Sequence, residues 1–170
     1  MNKKLIPAVL LLLALSGCAG TQENFTYTMT SDIKAGALLY SNDIEVALLN
    51  GTDSDSLMVR TSEVSVHPAL SHQWSGGLES QLKLIMADEM GSAGLPSGTK
   101  VTVKVLRFEG STSGEVAEDC LISASRGGKT LFEQPLSYRG AQSGTGYAKL
   151  ALELRRGFYQ IASEAAALMR

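Results

Sequence analysis

Thiols and imidazoles are scarce in this chain, which has two cysteines and two histidines among 170 residues, with one tryptophan and four prolines. No Cys-x-x-Cys or His-x-x-x-His pair occurs, so the spacing that seeds a zinc site is missing and metal chemistry is not expected. Positive charge is not in excess: 15 Lys and Arg face 17 Asp and Glu, for a formal net charge of -2, and they form no basic stripe. That balance excludes a nucleic-acid binder of the usual kind. What is present is a 44% hydrophobic, 19% charged chain of one domain's length, long enough to bury a core and too apolar to stay disordered.

The apolar residues are unevenly placed. Lys3 and Lys4 precede an apolar run over 5–15, broken only by Pro7. This is the pattern of a signal peptide, and it is too short for a bilayer-spanning helix, which needs about 20 apolar residues. Leu15-Ser16-Gly17-Cys18 follows and resembles the lipobox of bacterial lipoproteins. The resemblance implies cleavage before Cys18 and acylation of Cys18, which attaches the chain to a membrane. Ala19 is not the aspartate that retains such proteins at the inner membrane, so the expected location is the outer membrane, lipid-anchored, on its periplasmic face.

The expected organisation is a signal peptide at 1–17, an acylated tether at 18–23 and one domain at 24–170. The mature part keeps 153 residues with 13 basic and 17 acidic side chains, a net charge of -4. Its remaining thiol is Cys120, so no intramolecular disulfide is expected. Cys120 alternates with Val116, Ile122 and Ala124 and reads as a small buried apolar residue rather than a nucleophile.

Period-two alternation predicts strands at 25–29, 43–49, 57–61 and 63–67, the last stopped by Pro68, and three longer ones at 100–108, 116–125 and 129–138. Segment 50–56 is a turn by composition. The last three strands flank 109–114 and 126–128, which predicts an antiparallel meander. Leu78, Leu82, Ile85, Met86 and Met90 recur at spacings of three and four, which predicts an amphipathic helix ended by Gly91, Gly94 and Pro96. Leu150, Leu154, Phe158, Ile161, Ala165 and Leu168 form a second stripe, on a helix running from 147 to the C-terminus and containing Gly157, where close packing is expected. The fold class is therefore α/β: a single domain with a mixed β-sheet of about five to six strands and two long amphipathic helices.

No catalytic constellation emerges. His67 and His72 lie close to Ser71 without a Gly-x-Ser-x-Gly elbow, and they read as loop histidines making local hydrogen bonds. Glu118 and Asp119 are adjacent on a strand and point to opposite faces, so they cannot share a proton. The glycine-rich 140–146 segment lacks the lysine of a phosphate loop.

Met58-Val59-Arg60-Thr61, then His72-Gln73-Trp74 ahead of a helix, then Val101-Thr-Val103-Lys-Val105-Leu-Arg-Phe108, with the late Ser137-Tyr138 and a closing helix, resemble the ABC-type transport auxiliary lipoprotein family (PqiC-like). The likeness runs from the lipobox through nearly the whole mature chain. One departure is Ser75-Gly76-Gly77 where the family usually carries Ala-Glu-Pro. The resemblance implies a fold similar to anticodon-binding-like domains and the TolB N-terminal domain. It implies a non-enzymatic envelope protein without a cofactor. Its implied partners are an MCE-domain protein (PqiB-like) and an inner-membrane transport component, within a system moving lipid between membranes; it also allows a homo-oligomer.

Under that resemblance Arg60, Thr61, His72 and Trp74 are candidates for a partner or subunit interface, since Trp and Arg often anchor interfaces. The alternative is that Trp74 plugs the helix start and Arg60 pairs with a nearby acid. A stand-alone lipid-binding or outer-membrane assembly lipoprotein is the second functional reading, and a hydrolase using His67 or His72 the third.

Overall fold

The computed structural model describes residues 23–30, 33 and 43–170; the signal segment, Cys18 and most of the tether lie outside the described residues. Among the described residues the chain forms β1 (Phe25–Tyr27), β2 (Ile44–Leu48), β3 (Ser56–Arg60), β4 (Val66–Trp74), α1 (Leu78–Ala93), β5 (Lys100–Ser111), β6 (Glu115–Arg126), β7 (Lys129–Ala141) and α2 (Tyr147–Leu168). The seven strands make one mixed sheet in the order β1-β4-β3-β5-β6-β7, with β2 also paired to β5. The expected meander is there, with β5, β6 and β7 antiparallel in register along most of their length.

β2 and β3 share one side of β5. β2 runs parallel to its first half (Ile44↔Val101 to Leu48↔Val105), and β3 runs parallel to its last residues (Val59↔Gly110, Arg60↔Ser111). The turn between them reverses nothing in the sheet; it carries the chain from one stretch of β5 to the next.

Both helices cover one face. β5 and β6 turn Val101, Val103, Val105 and Phe108, and Val116, Cys120, Ile122 and Ala124, inward, where all are buried. α1 lays Leu78, Leu82, Ile85, Met86 and Met90 on this layer, and α2 adds Leu150, Leu154, Phe158, Ile161 and Ala165. Removing these side chains from water is the main stabilising term, at roughly 25 cal/mol per Å² of apolar surface. Cys120 is buried as expected, and burial, followed by the nearby Glu118 and Asp119 charges, pushes its thiol far up from the ordinary value, so it stays protonated.

Gly157 is the expected point of close approach. A Cβ there would run into Oε1 of Glu118 and Cδ1 of Tyr138, so glycine is what lets α2 sit down on β6 and β7.

Two expectations change. Val64 is exposed in the β3–β4 connection, and the strand expected at 63–67 begins at Val66 instead. Pro68 does not stop it: β4 continues to Trp74 and takes in His67 and His72, which are strand rather than loop residues. Proline is tolerated because β1 covers β4 only at His72 to Trp74, leaving the Pro68 stretch as a sheet edge. The pairing slips between Met58↔Pro68 and Ser56↔Gln73, which absorbs extra residues on β4 and breaks its alternation.

The Ser75-Gly76-Gly77 departure also acquires a structural meaning. Gly76 and Gly77 have φ of 72° and 84°, a region closed to proline and strained for other side chains. This chain therefore enters α1 by a turn that Glu-Pro cannot make. The turn is pinned by Trp74 N–H donating to Asp55 O (2.7 Å) and Leu78 N–H donating to Ser54 O (2.6 Å).

Candidate functional site

The four residues singled out in the sequence do not form one patch. Arg60 ends β3 and Thr61 follows it, with Arg60 on the sheet face that the helices leave open, while His72 and Trp74 lie on the helix side of β4. Trp74 is only 4% exposed, so any contact it supports runs through the residues packed on it. Its indole is edge-on to Tyr27 (6.3 Å) and to Phe108 (6.0 Å), and Phe108 is edge-on to Phe158 (6.5 Å). A row of rings thus runs from the core beneath α2 out to the sheet edge.

On the open face, Glu109 is almost buried and receives two guanidinium groups on one oxygen, from Arg60 (2.6 Å) and Arg107 (2.6 Å). Arg60 also donates to the backbone oxygen of Glu63 (2.7 Å), which ties down the β3–β4 connection. One strand away, Arg139 Nη2 donates to both carboxylate oxygens of Asp119 (2.7 and 2.8 Å), and Ser137 Oγ donates to the same carboxylate (2.7 Å). Burial opposes ionisation of Asp119, but the Ser137 hydroxyl and Arg139 outweigh it and hold the carboxyl below its usual range. Between these pairs lies a depression of about 260 Å³ bordered by Arg60, Arg107, Glu109 and Arg139. Three guanidiniums share two carboxylates in this network, two of them on the one Glu109 oxygen, which leaves fixed polar groups for a partner surface to meet.

At the sheet edge, β1 brings Phe25 and Tyr27 against His72. The rings stack at 5.0 and 5.8 Å, and the Tyr27 hydroxyl and His72 Nδ1 share a hydrogen bond of 2.7 Å. From the other side the first residue of α2, Tyr147, reaches His72 at 4.1 Å between ring centres. Burial lowers the His72 pKa, so the neutral ring is favoured. Stability from this corner is therefore complete above the ordinary histidine value of about 6.5 and declines as pH falls from there toward the lowered folded value. Corrected amide exchange of Phe25–Tyr27 is expected to be faster at pH 5 than at pH 7.5, and His72→Phe is expected to abolish that difference. An equal pH response in both proteins would remove His72 as its source.

The third arrangement is buried. Glu118 points inward with 0% exposure and no hydrogen-bond partner on either oxygen, while Asp119 points outward, as the alternation predicts. Beside it on the helix, Glu153 accepts a hydrogen bond from Tyr138 Oη at 2.6 Å. Burial, reinforced by the Glu153 charge, raises the Glu118 pKa well above the ordinary value, so Glu118 is held as the neutral acid.

Sequence reasoning missed Phe25, Tyr27, Tyr147, Arg107, Glu109 and the Asp119–Arg139 pair as parts of these sites. A local signal existed for one of them: Arg107 and Glu109 are two apart on a strand and so share a face. Among the described residues no group of three or more His, Cys, Asp or Glu is placed to hold a metal ion, and no helix is long and apolar enough to cross a membrane.

Comparison with known proteins places this geometry. A crystal structure of an uncharacterized protein superposes with a TM-score of 0.72 at 18% identity, covering 85% of this chain and 97% of that one. A Xanthomonas campestris protein of the DUF330 family superposes with a TM-score of 0.63 at 15% identity, covering 72% and 78%. At these identities the likeness establishes the fold. No curated protein matches. The model of one family, described as the ABC-type transport auxiliary lipoprotein component, matches residues 44–166, and the chain belongs to that family.

Proposed function

We propose that this protein is acylated at Cys18, sits on the periplasmic face of the outer membrane, and docks an MCE-domain protein of an intermembrane lipid transport system that also has an inner-membrane transport component. The observation that carries the proposal is the family match over 44–166 in a chain whose residues 15–18 read Leu-Ser-Gly-Cys. A transport path across the periplasm needs a fixed receptor at its far end, and a small rigid domain on a lipid anchor supplies one. Several acyl chains on one cysteine hold a protein stably, at about 0.8 kcal/mol per buried CH₂, where a single chain would not.

The docking surface in this reading is the open sheet face around Arg60 and Thr61. Its charges are fixed by Glu109 and Asp119, so a partner meets them without an ordering cost. His72 and Trp74 contribute by stiffening the edge that carries β1.

Two measurements test the proposal. Cys18→Ser is expected to move the protein from the membrane fraction to the soluble fraction, and persistence in the membrane fraction would refute the anchor. Crosslinking of the native protein in cells expressing the MCE protein, followed by mass spectrometry, is expected to join the Arg60 face to that protein. Arg60→Glu should cut the yield of that crosslink about tenfold, in keeping with reversal of a central interface charge. Stoichiometric lipid in the purified protein with no MCE crosslink would replace docking by a stand-alone lipid-binding role.

A further inference from the structure

The aromatic corner stiffens its edge in the docking role, but its exposed rings take no part in that role. Two segments 122 residues apart meet there, with Phe25 of the first described strand and Tyr147 of the last helix both packed on His72. Phe25 remains 47% exposed and Tyr147 40% exposed, so the stack presents ring surface to the outside rather than closing the core. Tyr27 and His72 supply polar groups within the same stack. Rings that are apolar in body and polar at the tip are the side chains that settle at the headgroup level of a bilayer.

The length of the tether says which surface is available. Phe25 is seven positions after Cys18, and even fully extended that stretch spans at most about 25 Å. α2 leads away from this corner: Leu168 is 21 residues beyond Tyr147 on the same helix, about 32 Å at 1.5 Å per residue. A chain anchored at Cys18 therefore keeps the Phe25 corner within reach of the bilayer while the C-terminal end of α2 can stand well away from it. Lys149 is exposed in the first turn of α2, two residues past Tyr147, and the helix N-terminus at Gly146, which has no side-chain cap, adds partial positive charge at this end of the helix. That sign suits phosphate-bearing headgroups. Glu23, two residues before Phe25, is the opposing charge.

We propose that Phe25, Tyr27, His72 and Tyr147 form a contact surface for the phospholipid bilayer, which orients the acylated domain on the membrane and leaves the Arg60 face free for a protein partner. This inference rests on acylation at Cys18.

The test uses the full acylated protein in vesicles of phosphatidylethanolamine and phosphatidylglycerol, in a Cys120→Ala background, with one nitroxide on Ala148→Cys or on Ala167→Cys. Both positions are exposed, and neither change removes a ring of the corner. Collision with a water-soluble nickel chelate is expected to be about fivefold lower at 148 than at 167, with the reverse order for oxygen, as for a group at the membrane interface. Adding Phe25→Ser and Tyr147→Ser should bring the 148 label to the 167 values while the protein still floats with the vesicles. Equal nickel access at 148 and 167 in floating protein would overturn the proposal and leave the anchor standing. Spin–spin broadening at 148 would overturn it in favour of a second copy of the chain covering the corner. Loss of flotation, with no acyl mass on Cys18, would show instead that the anchor reading itself is wrong.

Discussion

Replacing Glu118 by methionine is expected to stabilise the domain by about 1–4 kcal/mol at neutral pH, although it removes a charged residue type from the protein. Glu118 is fully buried between Phe108 of β5, Tyr138 of β7 and α2, and neither of its oxygens has a hydrogen-bond partner. The charges acting on it are those of Glu153, which raises its pKa further, Arg139, which opposes the rise, and Asp119. Methionine has nearly the same volume and nothing to solvate, so the desolvation penalty disappears without leaving a hole.

The sign of the pH dependence follows from the raised folded value. Below the ordinary glutamate pKa of about 4.3 both states are protonated, and the wild-type chain has its full stability from this group. As pH rises the unfolded chain ionises while the folded one does not, so stability is lost progressively until the raised folded pKa is reached. Urea titrations at pH 4 and pH 8 should therefore show a gap between Glu118→Met and wild type that widens with pH. A methionine variant less stable than wild type at pH 8 would mean that Glu118 is partnered and ionised.

Phe158→Ala is expected to destabilise the domain by about 3–5 kcal/mol, the usual cost of removing a buried phenyl ring. Phe158 is 0% exposed on α2 and packs edge-on against Phe108, which in turn packs on Trp74. For a domain whose whole stability is on the order of 5–15 kcal/mol, that loss is a large share. Trp74 is the single tryptophan of the chain, so its emission follows the same ring row that the substitution breaks. The denaturation midpoint should fall sharply and the native emission shift to the red, with Phe158→Leu losing much less. A midpoint within about 1 kcal/mol of the parent would show that α2 is not seated through this ring.

The helices and the β5–β7 meander were legible because each has a local period. Leu78 to Met90 and Leu150 to Leu168 repeat at three and four residues, and Val101, Val103 and Val105 repeat at two. The same rule separated Glu118 from Asp119 correctly. It failed on β4, where Pro68 looked like a terminus and the register slip between Met58 and Ser56 destroyed the alternation. The candidate site was legible only in fragments. Arg60, His72 and Trp74 stood out as residue types, but Arg60 meets Glu109 across 49 residues and His72 meets Tyr27 across 45.

The amino-acid order by itself determined the two helices, the β5–β7 meander and the faces they bury, the interior fate of Cys120 and the leader pattern ending at Cys18. These depend on neighbours within a few residues, where burying one face enforces a period. Tertiary structure alone decided that β2 and β3 share β5 as parallel neighbours, that four aromatic side chains gather at one sheet edge, and that the Glu118 carboxyl sits under Gly157. The physical reason is that any apolar strand can pair with any open edge at similar local cost. The choice among partners is made by the sum of long-range contacts set against loop-closure entropy, and neither is written in a local period.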